Sequence, residues 1–325
     1  MTQNLKILIA AFFLSIPLWL GLNTAYSELN RSSETLAAQI LQPKLVEVLQ
    51  PQTPQKQNNA EELSIQGKAA LSAFVDQQGN IKILYERNAT HSLPIASLTK
   101  LTNAVVTLSY ASPDQKVTIT KQMIQKPETF GDLKIGEELF VKDLLYSMLI
   151  ESSNDAAAAL ASVVGGEEAF VRFMNLYASQ LGLEQTFFAD VAGIDPNVPD
   201  GSISRSSAMD LVKLAKFITK QYPEIFEILT ISSFDLYSPD GTFHHRMKNT
   251  NELLVTNGWP TKVLGGKTGW TPIAKGSLLV VLESPASPPG GPDKKGYLVN
   301  VVLGSEDRFG EMKKLVDWVF ESYVF

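Results

Sequence analysis

Ser97 and Lys100 lie three residues apart at the predicted start of a helix, and their side chains could do nucleophilic chemistry. Pro94 discourages helix before it, and apolar residues recur at helical spacing from Leu98 to Leu108. Residues three apart share a helix face, which places the lysine amine beside the serine hydroxyl. A lysine takes the hydroxyl proton only if burial or nearby positive charge lowers its pKa from about 10 toward neutrality. The pattern therefore predicts a serine nucleophile with a lysine base in a closed site.

The Ser97–Lys100 pair is weak evidence for an active site unless other motifs accompany it, because a chain of 325 residues contains about one Ser-x-x-Lys by chance. Taken alone, the pair is better explained by a capping serine at an exposed helix start. A second polar motif, Ser152-Ser153-Asn154, falls at a predicted junction between two helices. Serine and asparagine favour such junctions, so a plain helix cap is the alternative to a catalytic role. Asp155 is interpreted as a first-turn charge of the next helix.

A third motif, Gly265 to Thr271 (GGKTGWT), ends a predicted apolar strand. Lys267 and Thr268 supply a cation and a hydroxyl that could hold a carboxylate, and Gly269 would let a substrate backbone approach the strand closely. The alternative is an ordinary glycine turn with an exposed lysine. A phosphate-binding loop is excluded, because that motif needs a longer glycine loop leading into a helix.

The composition excludes several classes of function. Lys and Arg number 28 and Asp and Glu 34, so the net charge of −6 gives no support to a nucleic-acid partner. The absence of cysteine excludes disulfides, thiolate metal sites and a cysteine nucleophile. The histidines are His91, His244 and His245. Adjacent histidines point to opposite sides of a strand, so we interpret the pair as surface residues and expect neither a metal nor another cofactor.

The N-terminus carries an export signal. Lys6 precedes an uncharged apolar stretch from Ile7 to Leu22, which fits a signal peptide cleaved near Ser27 or an uncleaved membrane anchor. The positive charge on the N-terminal side places the remainder outside the cytoplasm. We therefore expect residues 1–27 to be a signal peptide or anchor, 28–63 a polar linker, and 64–325 the catalytic domain.

Strand patterns occur at both ends of the predicted domain, with helices between them. Ala69–Val75 and Ile81–Tyr85 are predicted to form a hairpin, and three further strands lie between residues 262 and 303. The region from about 100 to 260 is predicted to be mainly helical, and a helix closes the chain from Arg308 to Tyr323. The expected fold is α+β, an antiparallel sheet of about five strands built from both chain ends, covered by helices, with an inserted helical subdomain.

The three motifs in this order are the set found in penicillin-binding proteins and class A β-lactamases. From about Lys68 to Tyr323 the chain resembles the serine D-alanyl-D-alanine carboxypeptidases, which are low-molecular-mass penicillin-binding proteins. Further segments carry the resemblance: PIASLTKL, IGEE with VKDLL, SSNDAA, FVRFMN, LGL with Thr186 and Phe188, Asn249-Thr250-Asn251, GGKTGWT and LGSEDRF. The resemblance implies a β-lactamase/DD-peptidase-like fold, a peptidoglycan pentapeptide substrate and covalent acylation by β-lactams.

The resemblance also implies a role for each catalytic residue. Ser97 would attack the carbonyl between two terminal D-alanines and form an acyl-enzyme, with Lys100 as the base. Ser152 would relay a proton to the leaving D-alanine. Asn154 would orient Lys100 and the substrate amide. Lys267 would help to keep Lys100 neutral.

The remaining family positions would bind the substrate. Lys267 and Thr268, followed by Gly269, would hold the terminal carboxylate. The backbone N–H groups of Ser97 and Trp270 would form an oxyanion hole. Arg308 matches a family arginine near the carboxylate site.

Two residues depart from the family pattern, and the chain ends early. Ser153 stands where the family commonly has glycine, and Trp270 is bulky enough to reshape the substrate site. The chain ends at its last helix, without the extra β-rich domain and amphipathic tail of many relatives. Any membrane anchoring is therefore expected to depend on the N-terminal segment.

Three other functions share parts of this pattern. A class A β-lactamase needs Glu-x-x-Leu-Asn, whereas Glu184 is followed by Gln-Thr-Phe-Phe. An inactive wall-binding protein on the same fold would predict loss of Ser97, Lys100 or Lys267, and all three are present. An endopeptidase acting on D-alanine cross-links would use the same site and stays an open alternative.

Overall fold

The computed structural model describes residues 21, 24, 26–33, 53–58, 61–124, 132–196, 201–254, 258–285 and 296–325. The chain divides into two units, 1–52 and 53–325. In the first unit, residues 26–33 are helical and exposed. Most of the predicted export segment, residues 1–27, lies outside the described residues. Among the helices that are described, none is both long enough and apolar enough to cross a membrane.

The second unit alternates short strands and helices. Its strands are β1 Gln55–Lys56, β2 Ala69–Val75, β3 Ile81–Arg87, β4 Leu93–Pro94, β5 Lys116–Thr118, β6 Glu138–Phe140, β7 Arg205–Ser206, β8 Ser233–Tyr237, β9 Phe243–Lys248, β10 Val263–Thr271, β11 Lys275–Glu283, β12 Tyr297–Ser305 and β13 Tyr323–Val324. Its α-helices are α1 Thr99–Tyr110, α2 Val141–Ile150, α3 Asn154–Ser162, α4 Glu167–Gln180, α5 Ala208–Gln221, α6 Pro223–Ile228 and α7 Arg308–Ser322, with 3₁₀ turns at Ala96–Leu98 and Glu252–Leu254.

The central sheet has five strands in the order β10-β11-β12-β2-β3, and every neighbouring pair is antiparallel. The early hairpin β2–β3 therefore joins the three late strands through β12. This confirms the fold predicted from the sequence, including the closure of one sheet by both ends of the domain.

Both faces of the sheet are buried, which explains why β2, β11 and β12 are apolar almost throughout. On β12, Val299 and Val301 belong to the core on the side of the helical insert, whereas Leu298 and Val302 belong to the core beneath α7. Successive side chains of a strand alternate between faces, so each strand serves both layers. Helix α5 packs on β2 and β12 from one side, and α7 packs on β11 and β12 from the other.

Helix α1 lies inside the helical insert. Its first nine residues are all buried, and α2, α3 and α4 pack against it. A helix buried on all sides is held by its surroundings rather than by one apolar stripe. The fold thereby fixes the first turn of α1, which carries Lys100, against its neighbours.

Part of the segment predicted as a polar linker contacts the C-terminal helix. Strand β1 pairs with β13, and the indole N–H of Trp318 donates to the carbonyl of Glu61 over 2.7 Å. Leu63 is buried in the core beneath α7. The second unit thus begins at Thr53, whereas the functional boundary at residue 64 stays a prediction.

Candidate active site

The Ser97 hydroxyl and the Lys100 amine lie 2.6 Å apart. Ser97 occupies the 3₁₀ turn that leads into α1, and its hydroxyl does not cap that helix. The capping explanation of Ser97 is therefore wrong. The Lys100 amine also donates to the side-chain oxygen of Asn154 at 2.7 Å and to the carbonyl of Ala192 at 3.1 Å.

These contacts suit the neutral form of Lys100. Burial of the side chain lowers the pKa of Lys100 to about 7, against the opposing charge of Asp190. A neutral amine has two N–H groups and one lone pair. The oxygens of Asn154 and Ala192 accept the two N–H groups, so the lone pair faces the hydroxyl of Ser97. The geometry therefore equips Lys100 to take the Ser97 proton.

Two glycines bring neighbouring backbone against the Ser97 turn. A Cβ on Gly193, whose φ is +81°, would lie 1.9 Å from the carbonyl oxygen of Ala96. A Cβ on Gly269 would lie 2.9 Å from the carbonyl oxygen of Ile95 and 3.0 Å from the backbone nitrogen of Ser97. That Gly269 admits a substrate stays a prediction; the structure shows that it admits the backbone of the Ser97 turn.

The three residues of the motif Ser152-Ser153-Asn154 have different structural roles. Ser153 caps α3, because its hydroxyl accepts the backbone N–H of Ala156 at 3.1 Å. Ser152 has a φ of +66°, a left-handed conformation that costs a non-glycine residue about 1 kcal/mol or more. Asn154 points its side-chain oxygen at Lys100. Ser153 is thus the helix cap, whereas Ser152 and Asn154 are available to the candidate site.

Lys267 joins the second motif to the third. Its amine is buried and donates to the hydroxyl of Ser152 at 2.9 Å and to the carbonyl of Thr268 at 3.3 Å. Burial lowers the pKa of Lys267, and the charges of Lys100 and Arg308 lower it further. We expected Lys267 to help neutralise Lys100, but burial is the main cause of the lowered pKa of Lys100.

A cleft of about 670 Å³ opens in front of Ser97. It is lined by Ser97, Ser152, Asn154, Gly193, Ile194, Thr250, Thr268, Gly269, Trp270, Thr271 and Arg308. The structure thereby places seven of the nine predicted site residues at one surface. The amines of Lys100 and Lys267 lie behind it, each in contact with a lining serine.

Arg308 and Trp270 form one edge of this cleft. Arg308 donates to the carbonyl of Gly269 at 3.1 Å, and its buried Nε has no hydrogen-bond partner among the described residues. Burial lowers the pKa of Arg308, against the charge of Glu252. Trp270 is 52% exposed. The edge therefore offers a cation and an aromatic surface to whatever enters.

Gly193 and Ile194, in the segment that follows α4, form one wall of the cleft. Sequence reasoning missed two aspartates of this segment, Asp190 and Asp195. Asp190 accepts the backbone N–H groups of Ala192 and Gly193 at 2.7 and 2.5 Å, in an Asx-type turn of the kind that aspartate side chains favour. Asp195 accepts the hydroxyl of Thr271 at 2.7 Å and thereby ties the wall to β10.

The interpretation of His244 and His245 as surface residues is wrong. Their side chains are only 5% and 15% exposed, and their Nδ1 atoms lie 2.7 Å apart. The register between β8 and β9 shifts at this point, so that Leu236 pairs with His245 and Tyr237 pairs with Phe243. A bulge of this kind breaks the alternation of side chains. The described residues contain no group of three or more histidines and acids that could hold a metal.

Comparisons with known proteins point to one family. The model of the peptidase S11 family, D-alanyl-D-alanine carboxypeptidase, matches residues 55–284. The chain is 30% identical to the D-alanyl-D-alanine endopeptidase of Escherichia coli K12 over 259 residues, 77% of each chain. It is 33% identical to the D-alanyl-D-alanine carboxypeptidase DacC of the same strain over 259 residues, 74% of this chain and 59% of DacC. Penicillin-binding protein D2 of Listeria monocytogenes, solved with cefotaxime bound, is 28% identical with a TM-score of 0.65, over 80% of this chain and 99% of that one.

Proposed function

The chain belongs to the peptidase S11 family of D-alanyl-D-alanine carboxypeptidases, and on that premise we propose that its serine carboxypeptidase reaction proceeds through an acyl-enzyme on Ser97. The substrate is a peptidoglycan stem peptide ending in two D-alanines, of which the last is released. One observation carries the assignment of the nucleophile: the amine of the buried Lys100, whose pKa is lowered to about 7, lies 2.6 Å from the Ser97 hydroxyl.

Acylation begins when the Ser97 oxygen attacks the carbonyl carbon of the last peptide bond and Lys100 accepts the hydroxyl proton. The backbone N–H groups of Ser97 and Trp270 receive the developing oxyanion, a contribution worth about 10²- to 10³-fold in rate for such donors. Asn154 holds the Lys100 amine through its side-chain oxygen and thereby keeps the lone pair on Ser97.

Collapse of the tetrahedral intermediate breaks the bond to the leaving D-alanine, whose nitrogen needs a proton. Ser152 lines the cleft and accepts an N–H from Lys267 at 2.9 Å, which leaves its own hydroxyl proton free to be given to that nitrogen. Ser152 then recovers a proton from the lysines behind it. Water releases the shortened peptide from Ser97.

A carboxypeptidase must recognise a free terminal carboxylate. Thr268 and Arg308 line the cleft beside Gly269, and the amine of Lys267 lies behind them, in contact with the lining residue Ser152. The buried Nε of Arg308 has no hydrogen-bond partner among the described residues, so the guanidinium can donate a further hydrogen bond to a carboxylate. We assign the terminal carboxylate to these three residues.

The same site accounts for β-lactam sensitivity and for location. A relative on the same fold was solved with cefotaxime bound, and we infer that β-lactams acylate Ser97 in this chain. A peptidoglycan substrate places the domain on the outer side of the cytoplasmic membrane. We further propose that residues 1–27 act as the export segment. The mass of the mature protein shows whether this segment has been cleaved, and so distinguishes a released form from an anchored one.

Endopeptidase activity is the second candidate function, because two relatives named D-alanyl-D-alanine endopeptidases match 77% of this chain at 30% identity. We expect the purified domain to release D-alanine from a pentapeptide with a higher kcat/KM than it shows for a cross-linked dimer. The measurement is D-alanine release and chromatography of the muropeptides. Cleavage of the dimer without D-alanine release from the pentapeptide would overturn the carboxypeptidase assignment in favour of the endopeptidase.

A further inference from the structure

Four side chains outside the cleft form a continuous chain of hydrogen-bonding contacts, which we call the histidine chain: Glu137, His244, His245 and Glu151. Nε2 of His244 lies 3.0 Å from a carboxylate oxygen of Glu137. The two Nδ1 atoms lie 2.7 Å apart, and Nε2 of His245 lies 3.1 Å from a carboxylate oxygen of Glu151. All four side chains are less than one-fifth exposed, so water screens these contacts poorly.

The histidine chain has three contacts between donor and acceptor sites, and each contact needs one proton. Two neutral imidazoles supply only two protons, so one contact then sets two lone pairs against each other. Two doubly protonated imidazoles would set two N–H groups against each other across the 2.7 Å between His244 and His245. All three contacts are therefore satisfied when the histidine chain carries three protons, which is one more than two neutral histidines carry.

Glu151, at one end of the histidine chain, directly precedes Ser152 in the sequence. Glu151 is buried, and its carboxylate has the hydroxyl of Ser147 at 2.7 Å as its other partner. The backbone of Ser153 also returns to this place, since its N–H donates to the carbonyl of Ser147 at 3.2 Å. Ser152 lies between these two anchors in a left-handed conformation, which persists only where the surroundings impose it.

The segment after β9 reaches the same turn and the third motif. The N–H of Thr250 donates to the carbonyl of Ile150 at 3.1 Å, and its hydroxyl lies 2.5 Å from the hydroxyl of Thr268. The strand that carries the two histidines thus connects the end of α2 to β10.

We propose that the histidine chain is a positioning device for the Ser152–Asn154 turn, and that it holds the turn best when it carries three protons. Glu137 and Glu151 are the charged groups that contact the two imidazoles, from the segment before β6 and from the end of α2. On the hairpin itself, Arg246 is engaged by Asp235. The inference rests on the proposed function, because its readout is acylation of Ser97.

The discriminating variant is Glu137→Gln. The glutamine amide donates an N–H to Nε2 of His244, so all three contacts are satisfied by two neutral imidazoles. In the unmodified protein, removal of the third proton breaks one contact, and the acylation rate is expected to fall. In Glu137→Gln this fall is expected to disappear. The measurement is the rate of acylation by a fluorescent penicillin between pH 6 and 10.

His245→Phe keeps a ring in place but removes both nitrogens. Among the described residues it leaves the Glu151 carboxylate only the Ser147 hydroxyl. Acylation is expected to slow on the order of tenfold, the scale seen for residues that orient metal ligands. The matched control is Arg246→Gln, the next residue on β9, whose side chain is exposed. Its rate and pH profile are expected to equal those of the unmodified protein.

Nuclear magnetic resonance of ¹⁵N-labelled histidine counts the protons independently of activity. At the pH of fastest acylation, three protonated ring nitrogens shared by His244 and His245, and two in Glu137→Gln, support the proposal. Two in both proteins overturn it, as does a Glu137→Gln pH profile that superimposes on that of the unmodified protein. If the unmodified protein is not acylated at Ser97, the proposed function fails, and the nitrogen spectra still decide the state of the histidine chain.

Discussion

Replacing Lys100 by methionine is expected to lower the rate of Ser97 acylation by about 10²- to 10⁴-fold, the usual worth of a positioned general base. Methionine is an unbranched, adaptable side chain that fills the same buried space, so the fold is expected to survive. The loss is specific to the base, because the oxyanion donors and the cleft remain. The measurement is the second-order rate constant for acylation by a fluorescent penicillin.

The pH profile of the unmodified protein follows from the same residue. Lys100 acts as a base only when neutral, and burial lowers its pKa to about 7. The neutral fraction therefore falls as pH drops through 7, and below that value acylation is expected to slow about tenfold per pH unit. Lys100→Met should lose this dependence. The matched control is Lys313→Met, whose exposed amine pairs with Asp317 on α7; an acid limb that persists unchanged in Lys100→Met would contradict the assignment.

Replacing Lys267 by methionine is expected to lower kcat/KM for a D-alanyl-D-alanine peptide by about a hundredfold. The change removes the Lys267 amine behind the carboxylate site and leaves Ser152 without its 2.9 Å donor. A hydrogen bond involving a charged group contributes about 1.5–3 kcal/mol, which corresponds to about 10- to 150-fold. The measurement is D-alanine release under conditions in which the variant is folded.

A second substrate separates the two roles of Lys267. A peptide whose terminal carboxylate is replaced by an amide lacks the negative charge, so Lys267→Met should slow its cleavage much less. An equal loss on both substrates would contradict a carboxylate role and would leave Lys267 only as the partner of Ser152.

The sheet and helices were predictable because their local patterns agree with their surroundings. The apolar runs of β2, β11 and β12 predict strands buried on both faces, and that burial is observed in the two cores on either side. Helix α1 starts within two residues of its predicted start at Ser97. The three motifs together identified the residues that the fold brings to one cleft, since each motif specifies both a residue type and a local element.

What could not be predicted depends on contacts between distant segments. The bulge that turns His244 toward His245 arises from pairing between β8 and β9, and no local pattern reports it. The need for glycine at position 193 comes from the carbonyl of Ala96, almost a hundred residues earlier. The contact of Lys267 with Ser152, rather than with open solvent, likewise follows from tertiary packing.

The most direct test of Ser97 as the nucleophile is incubation of the folded protein with a labelled penicillin, followed by digestion and mass spectrometry. A lysine base beside a single serine predicts one covalent adduct, on the peptide that contains Ser97, and its loss in Ser97→Ala. An adduct on another peptide, or an unmodified Ser97 peptide from folded protein, would contradict the assignment.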